Sequence, residues 1–336
     1  MAASIKIGQR LEGKVGSYFV SAQVAKDIWT ATSTFTWLTT ARKSNSQDGK
    51  FIIKTAPQGR LENERDVLRH LRTRPCIRQM LDETESPPSL ILQHLDDNLL
   101  HASNVKTLES SDVKLVAKRV LEAIQALHED GYTHTDIKSD NILVNYGTGS
   151  SRFADVQLAD FGDVTRIDPK DYLKVGMDGP HMGAPIFRSP EAMMQLRWGP
   201  STDIWSFGTT VGDIKQLISL IWGLNWHMFK PDPKDATADD EEYLIHIIIR
   251  QLAHFGPVPK SYIDLIPRED SDRWTILGTA TLYIKDNEKQ RPFKIIEDDC
   301  LTEEDREFLL KVMKWDPRDR PTARQLLQDK WFSGVP

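Results

Sequence analysis

Two cysteines in 336 residues, Cys76 and Cys300, leave no disulfide framework, and neither has a His or Cys partner at metal-ligand spacing. Such scarcity suits a reducing, intracellular setting, cytoplasmic or nuclear. Long apolar runs are also missing. Leu217 to Leu224 and Ile245 to Ile249 fall well short of the roughly 20 residues that a spanning helix needs, so no membrane partner is expected. Met1 to Arg10 has no uninterrupted apolar core of the kind that marks a secretory signal. Excess positive charge is absent too: the net charge is −6, and Lys and Arg are interspersed with acids throughout. Binding of nucleic acid by counterion release is therefore disfavoured, and a basic polypeptide is the better-matched partner.

What remains is the composition of a folded protein, with 39% hydrophobic and 27% charged residues, long enough for two packed units. Residues 17 to 31 and 50 to 55 are rich in β-branched and aromatic types, which predicts strands, with a polar loop from Thr32 to Asp48 between them. Leu61, Val67, Leu68 and Leu71 are spaced for one face of a short helix, and Ser89 to Gln93 reads as a buried strand. Beyond residue 95 helices dominate. Ser110 or Ser111 can cap a helix striped by Val113, Val116, Val120, Leu121, Ile124 and Leu127, and Gly131 is placed to stop it. Short strands are expected near Ile142 to Val144 and Val156 to Leu158. Further helices are expected near Ala192 to Leu196, Ile204 to Leu224, Glu241 to Phe255, Glu303 to Lys314 and Ala323 to Lys330.

Chemistry concentrates in His134-Thr135-Asp136-Ile137-Lys138-Ser139-Asp140-Asn141, followed nineteen residues after Asn141 by Asp160-Phe161-Gly162. Asp136 is a carboxylate to accept or orient a hydroxyl proton, and Lys138 a cation to offset a moving phosphoryl group. Asn141 and Asp160 are two oxygen donors of the type that Mg²⁺ prefers. Singly each is most often a solvated surface group; together, at this spacing, no packing requirement explains them.

From residue 11 to the carboxyl end the chain resembles a eukaryotic protein kinase. Gly183 to Glu191 is similar to the end of a kinase activation segment, and Asp203 to Gly208 to the start of the large helix of the lower lobe. Trp315 to Thr322 carries Arg320, which the resemblance pairs with Glu191 as buried charges. Phe51-Ile52-Ile53-Lys54 resembles the strand whose lysine holds the α- and β-phosphates. The matching ion-pair partner is Glu64, with Glu62 an alternative because only ten residues separate Lys54 from Glu64. Leu90 to Asp97 is similar to the strand and hinge, where backbone groups of Gln93, His94 and Leu95 would bind adenine.

The resemblance implies an α+β, two-lobed fold: a small, mainly β lobe with one helix over residues 1–95, and a larger, mainly helical lobe over 96–336 with an insertion around 225–300. It implies transfer of the γ-phosphate of Mg-ATP to serine or threonine hydroxyls of a protein, with the chain acting as a monomer. The alternative is a pseudokinase that serves as scaffold or allosteric partner.

Two departures stand out. The phosphate-covering loop of the family is glycine-rich, whereas the preferred register here puts Ala25-Lys26-Asp27 between the first long strands. The competing register uses Gly13-Lys14-Val15-Gly16. Thr135 replaces an arginine that commonly meets an activation-segment phosphate, so activity is expected to need none. His134 to Lys138 and Phe187 to Glu191 resemble most the group that holds the serine/arginine-rich-protein kinases and their dual-specificity and cyclin-dependent relatives, with whole-chain likeness to divergent fungal members. The acidic stretches Asp239 to Glu242 and Glu297 to Asp305 could then dock a basic or arginine-rich substrate.

Overall fold

The computed structural model describes residues 5–33, 49–149, 151–214, 227–297 and 301–336. Nearly all of the loop expected from Thr32 to Asp48 lies outside them, as do the second half of the helix expected over Ile204 to Leu224 and Cys300.

Strands β1 (Arg10–Glu12), β2 (Ser17–Ala25), β3 (Ile28–Thr32), β4 (Lys50–Lys54), β5 (Met80–Glu85) and β6 (Pro88–Gln93) form one antiparallel sheet in the order β1-β2-β3-β4-β6-β5. Side chains alternate across it, as the period of two demands. Phe51, Ile53 and Ile91 pack on one face with Tyr18 and Val20. Ile52, Leu90 and Leu92 pack on the other, against Leu61, Val67 and Leu68 of helix α1 (Gln58–His70). Lys54 follows Ile52 by two residues and so shares the α1 face. Glu64 falls on the buried stripe of α1, 1% exposed.

After Gln93 the chain leaves this sheet, and β7 (Asp97–Asn98) pairs instead with β9 (Ile142–Tyr146), beside β10 (Phe153–Leu158). Helices follow: α2 (Leu99–Val105), α3 (Ser110–Glu129), α4 (Pro190–Met193), α5 (Ser201–Ile214), α6 (Tyr243–Phe255), α7 (Lys260–Ile263), α8 (Ser271–Asp286), α9 (Glu303–Val312) and α10 (Ala323–Leu326). A short pair, β8 (Tyr132–Thr133) with β11 (Thr165–Arg166), ties the end of α3 to the segment after Asp160. A mainly β amino-terminal part and a helical remainder make this the two-lobed α+β arrangement.

Several local expectations need correction. Glu109, not Ser110 or Ser111, caps α3: its carboxylate accepts from the third helical N–H while Asp112 accepts from the Glu109 N–H at 3.2 Å. Two carboxylates at that end also suit the positive pole of the helix. Gly131 ends the helix as expected, at φ 77. The carboxyl-terminal helix is only Ala323–Leu326, and α4 spans Pro190–Met193 rather than Ala192 to Leu196. Helix α8 had no forecast because it buries only Leu277, Ala280 and Ile284, too few for a readable stripe.

The two registers for the β2–β3 connection are resolved by pairing. Ala25 opposes Ile28, so the chain turns at Lys26 and Asp27. Gly13 to Gly16 has another task. The backbone N–H groups of Lys14, Val15 and Gly16 donate to the Asp82 carboxylate at 3.0, 3.0 and 3.1 Å, and the Tyr18 hydroxyl donates at 2.9 Å. A Cβ on Gly13 would sit 2.1 Å from Asp82 Oδ2. The anion held by this turn is the protein's own.

Candidate active site

Three elements bring the polar groups together. From β4, Lys54 Nζ lies 2.6 Å from Glu64 Oε2 and 2.8 Å from Asp160 Oδ1. Glu62 is exposed and bonded to Gln58, so it takes no part. Glu64 Oε1 also accepts from the Phe161 N–H at 3.4 Å, which ties α1 to the Asp160 segment. Burial is the largest single influence and would raise the Asp160 pKa, but the Lys54 ammonium together with His134 and Arg60 outweighs it and holds the carboxyl below its ordinary value.

The second cluster lies between β8 and β9. Lys138 Nζ is 2.8 Å from Asp136 Oδ2, and Asn141 Nδ2 donates to the same oxygen at 2.9 Å and to the Asp136 carbonyl at 2.8 Å. With its nitrogen so engaged, Asn141 keeps its amide oxygen as an acceptor. The Ala184 N–H donates to Asp136 Oδ1 at 3.3 Å. Gly183 must be glycine here: its φ is +35, and a Cβ would meet the Thr135 carbonyl at 2.4 Å.

The loop is anchored from below by Asp203, which is fully buried at the start of α5. Its Oδ2 accepts from the His134 N–H at 2.7 Å and its Oδ1 from the Thr135 N–H at 3.0 Å, while His128 Nε2 lies 3.0 Å away. Thr135 is thereby held at φ 72, unusual for a branched residue. The imidazole of His134 bridges its Nε2 to the Ala159 carbonyl at 3.1 Å and accepts from the Asp136 N–H at 3.3 Å, packed edge-on against Phe161. The sequence marked Asp203 as a helix start and gave no sign of this tether, which needs three-dimensional contact to be seen.

At the end of β6, Gln93 is already in use: its N–H donates to the Gln79 carbonyl at 2.9 Å, and its own carbonyl accepts from Arg78 Nε at 3.0 Å. His94 and Leu95 have no hydrogen bond through their backbone groups among the described residues. Burial lowers the His94 pKa, and Lys50 reinforces this.

Arg320 and Glu191 meet in the lower lobe, Nη1 to Oε1 at 2.6 Å and Nη2 to Oε2 at 2.7 Å. Between α1 and the stretch from Gly162 to Trp198 lies a cavity of about 760 Å³ lined by Arg60, Arg166, Arg188 and Thr135. Each arginine there has a partner: Arg60 pairs with Asp163 at 2.6 Å, Arg166 donates to the Asp130 carbonyl at 3.2 Å, and Arg188 donates to the Gly183 carbonyl at 2.8 Å.

Residues 38–332 match the protein kinase domain family. Among curated proteins, the chain is 27% identical to serine/threonine-protein kinase ppk5 of Schizosaccharomyces pombe, over 73% of this chain and 27% of that protein. It is also 27% identical to the serine/threonine-protein kinase US3 homolog of varicella-zoster virus, over 85% of this chain and 67% of the viral protein. The chain thus spans about a quarter of the yeast relative's length and two thirds of the viral one's.

Proposed function

The chain belongs to the protein kinase domain family, and from that premise we propose that it transfers the γ-phosphate of Mg-ATP to serine or threonine hydroxyls of a protein. The observation that carries the reading is Lys54 Nζ within 2.8 Å of both Glu64 and Asp160, with the Asp136, Lys138 and Asn141 cluster completing the polar set. In this reading Asp136 orients the attacking hydroxyl and takes up its proton late in transfer. Lys138 and Lys54 offset charge on the phosphates, and Glu64 holds Lys54 in place.

The donor set fits magnesium. Asn141 and Asp160 present oxygens, the ligand type of a hard cation, and among the described residues no group of three or more His, Cys, Asp or Glu could hold a metal by itself. Phosphate oxygens of the nucleotide would complete the shell. Bound there, the ion would neutralise β- and γ-phosphate charge. His94 and Leu95 retain backbone groups for the base.

We also propose a basic polypeptide as substrate and kinship with the serine/arginine-rich-protein kinase group. Net charge −6 and the exposed acids Asp232, Asp235, Asp239, Asp240, Glu241 and Glu242 support that taste. The test is radiolabel transfer from ATP to a basic protein by wild type and by Asp160→Ala. Label with the wild type alone supports the enzyme; equal signals leave a pseudokinase scaffold as the reading, which the glycine-free β2–β3 turn favours.

A further inference from the structure

Arg78 stands just before β5, where a basic side chain has no evident structural task. The segment around it is pinned to the strand that leads into Asp160: Leu158 donates to the Cys76 carbonyl at 2.8 Å, and Arg78 donates its N–H to the Leu158 carbonyl at 2.9 Å. The side chain then reaches the other way, to the Gln93 carbonyl, with Nε at 3.0 Å. Arg78 therefore ties the Asp160 strand, through its backbone, to Gln93, through its side chain. Among the described residues it makes no other hydrogen bond and no ion pair. Burial pushes its pKa down to about 10, with Glu64 and Asp160 acting in the opposite sense, so it is charged at neutral pH.

We propose that Arg78 tunes the choice of nucleotide base, admitting a purine with a carbonyl acceptor on its six-position, such as guanine, alongside one with an amino group there. This rests on the kinase reading of the cleft. An adenine amino group is a donor and needs an acceptor. In the kinase reading the Gln93 carbonyl is the acceptor offered to the base; one of its two lone pairs already receives Arg78, and the terminal nitrogens of Arg78 are donors only. An adenine amino group there would meet a half-used acceptor beside added donors. A 6-oxo group in the same place accepts from the guanidinium and satisfies a half-buried cation that, among the described residues, has no partner besides the Gln93 carbonyl. Discrimination by a positioned hydrogen-bonding group is large because the mismatched base leaves that group unpaired.

The experiment is competition of unlabelled ATP and GTP, each with Mg²⁺, against a ribose-labelled fluorescent ATP on the full chain, for wild type, Arg78→Val and Arg78→Lys. Thermal melting of each variant reports its folding. The expected result is GTP within about tenfold of ATP for wild type and a shift of about tenfold or more toward ATP in Arg78→Val, with Arg78→Lys closer to wild type. A larger wild-type preference for ATP overturns the proposal, as does a ratio that Arg78→Val leaves unchanged. If Arg78→Val does not fold, the wild-type ratio and Arg78→Lys decide. Binding of ATP by Arg78→Val alone, with wild type binding neither, overturns it by showing that Arg78 merely fills the cleft. If none of the three proteins binds the probe or either nucleotide, the kinase reading falls and this proposal with it.

Discussion

Arg320 grips Glu191 through both terminal nitrogens, at 2.6 and 2.7 Å, and both side chains are fully shielded from water. Further bonds to the Ser201, Trp315 and Lys314 carbonyls at 3.0, 3.0 and 2.7 Å leave the guanidinium saturated. Removing one partner strands a charge in a dry interior. Arg320→Ala is expected to lose about 3–5 kcal/mol of stability in denaturant unfolding. Unfolding midpoints within about 1 kcal/mol of wild type would contradict this account of the pair.

Asp160 leads to a prediction in pH. Its carboxyl is held below the ordinary 3.8, despite burial that acts the other way. A depressed carboxyl stays ionised above that value and is protonated only as pH falls through its lower, folded pKa. Stabilisation of the lobe contact through Lys54 is thus present above about pH 4 and lost below it. Asp160→Asn removes the charge at all pH values. Phosphoryl transfer is expected to fall about a hundredfold or more, and the acid dependence of melting below pH 4 to flatten. Melting curves of wild type and variant from pH 3 to 7 check the second point without reference to activity.

Activity should not need a phosphate on the activation segment. Thr135 supplies no cation, and Arg60, Arg166 and Arg188 are committed to Asp163, the Asp130 carbonyl and the Gly183 carbonyl. Tyr172 is half-buried with its hydroxyl on Ser201 at 2.5 Å. Protein stripped of phosphate at Thr165 and Tyr172 is expected to keep its transfer rate within about twofold. Abolished activity after phosphatase treatment, verified by mass spectrometry, would overturn this.

Asp82 separates stability from nucleotide binding. Asp82→Ala unpairs the Val15 and Gly16 N–H groups and the Tyr18 hydroxyl at once, and leaves the Lys14 N–H only the Glu83 carbonyl at 3.2 Å. A loss of about 3 kcal/mol is expected, with nucleotide affinity of the folded fraction unchanged. Weakened nucleotide binding at full foldedness would return the Gly13 to Gly16 turn to the cleft.

The sequence was most legible where chemistry is local. His134 to Asn141 and Asp160 carry their residue types in order, so the cluster around Asp136 needed only a loop to assemble. Strands β2, β3, β4 and β6 announced themselves through β-branched and aromatic content. What stayed hidden depends on partners far along the chain. Strand β5 contains Asp82, Glu83 and Glu85, a poor strand by composition, and it is tolerated because a glycine turn about 66 residues earlier supplies N–H donors to the Asp82 carboxylate. Arg78 reads as one surface charge among 43 Lys and Arg until its side chain is followed to Gln93. The cap of α3 was missed because serine is the commoner N-cap type and the carboxylate pair one residue earlier competed successfully.

The Asp203 tether has a dynamic consequence. The amide hydrogens of His134 and Thr135 end on a carboxylate rooted in α5, so neither can meet solvent while that helix is folded. Their exchange with deuterium should therefore run at the rate of opening of the whole helical lobe, slow among loop amides. A loop clocked in this way borrows the rigidity of the core it is fastened to.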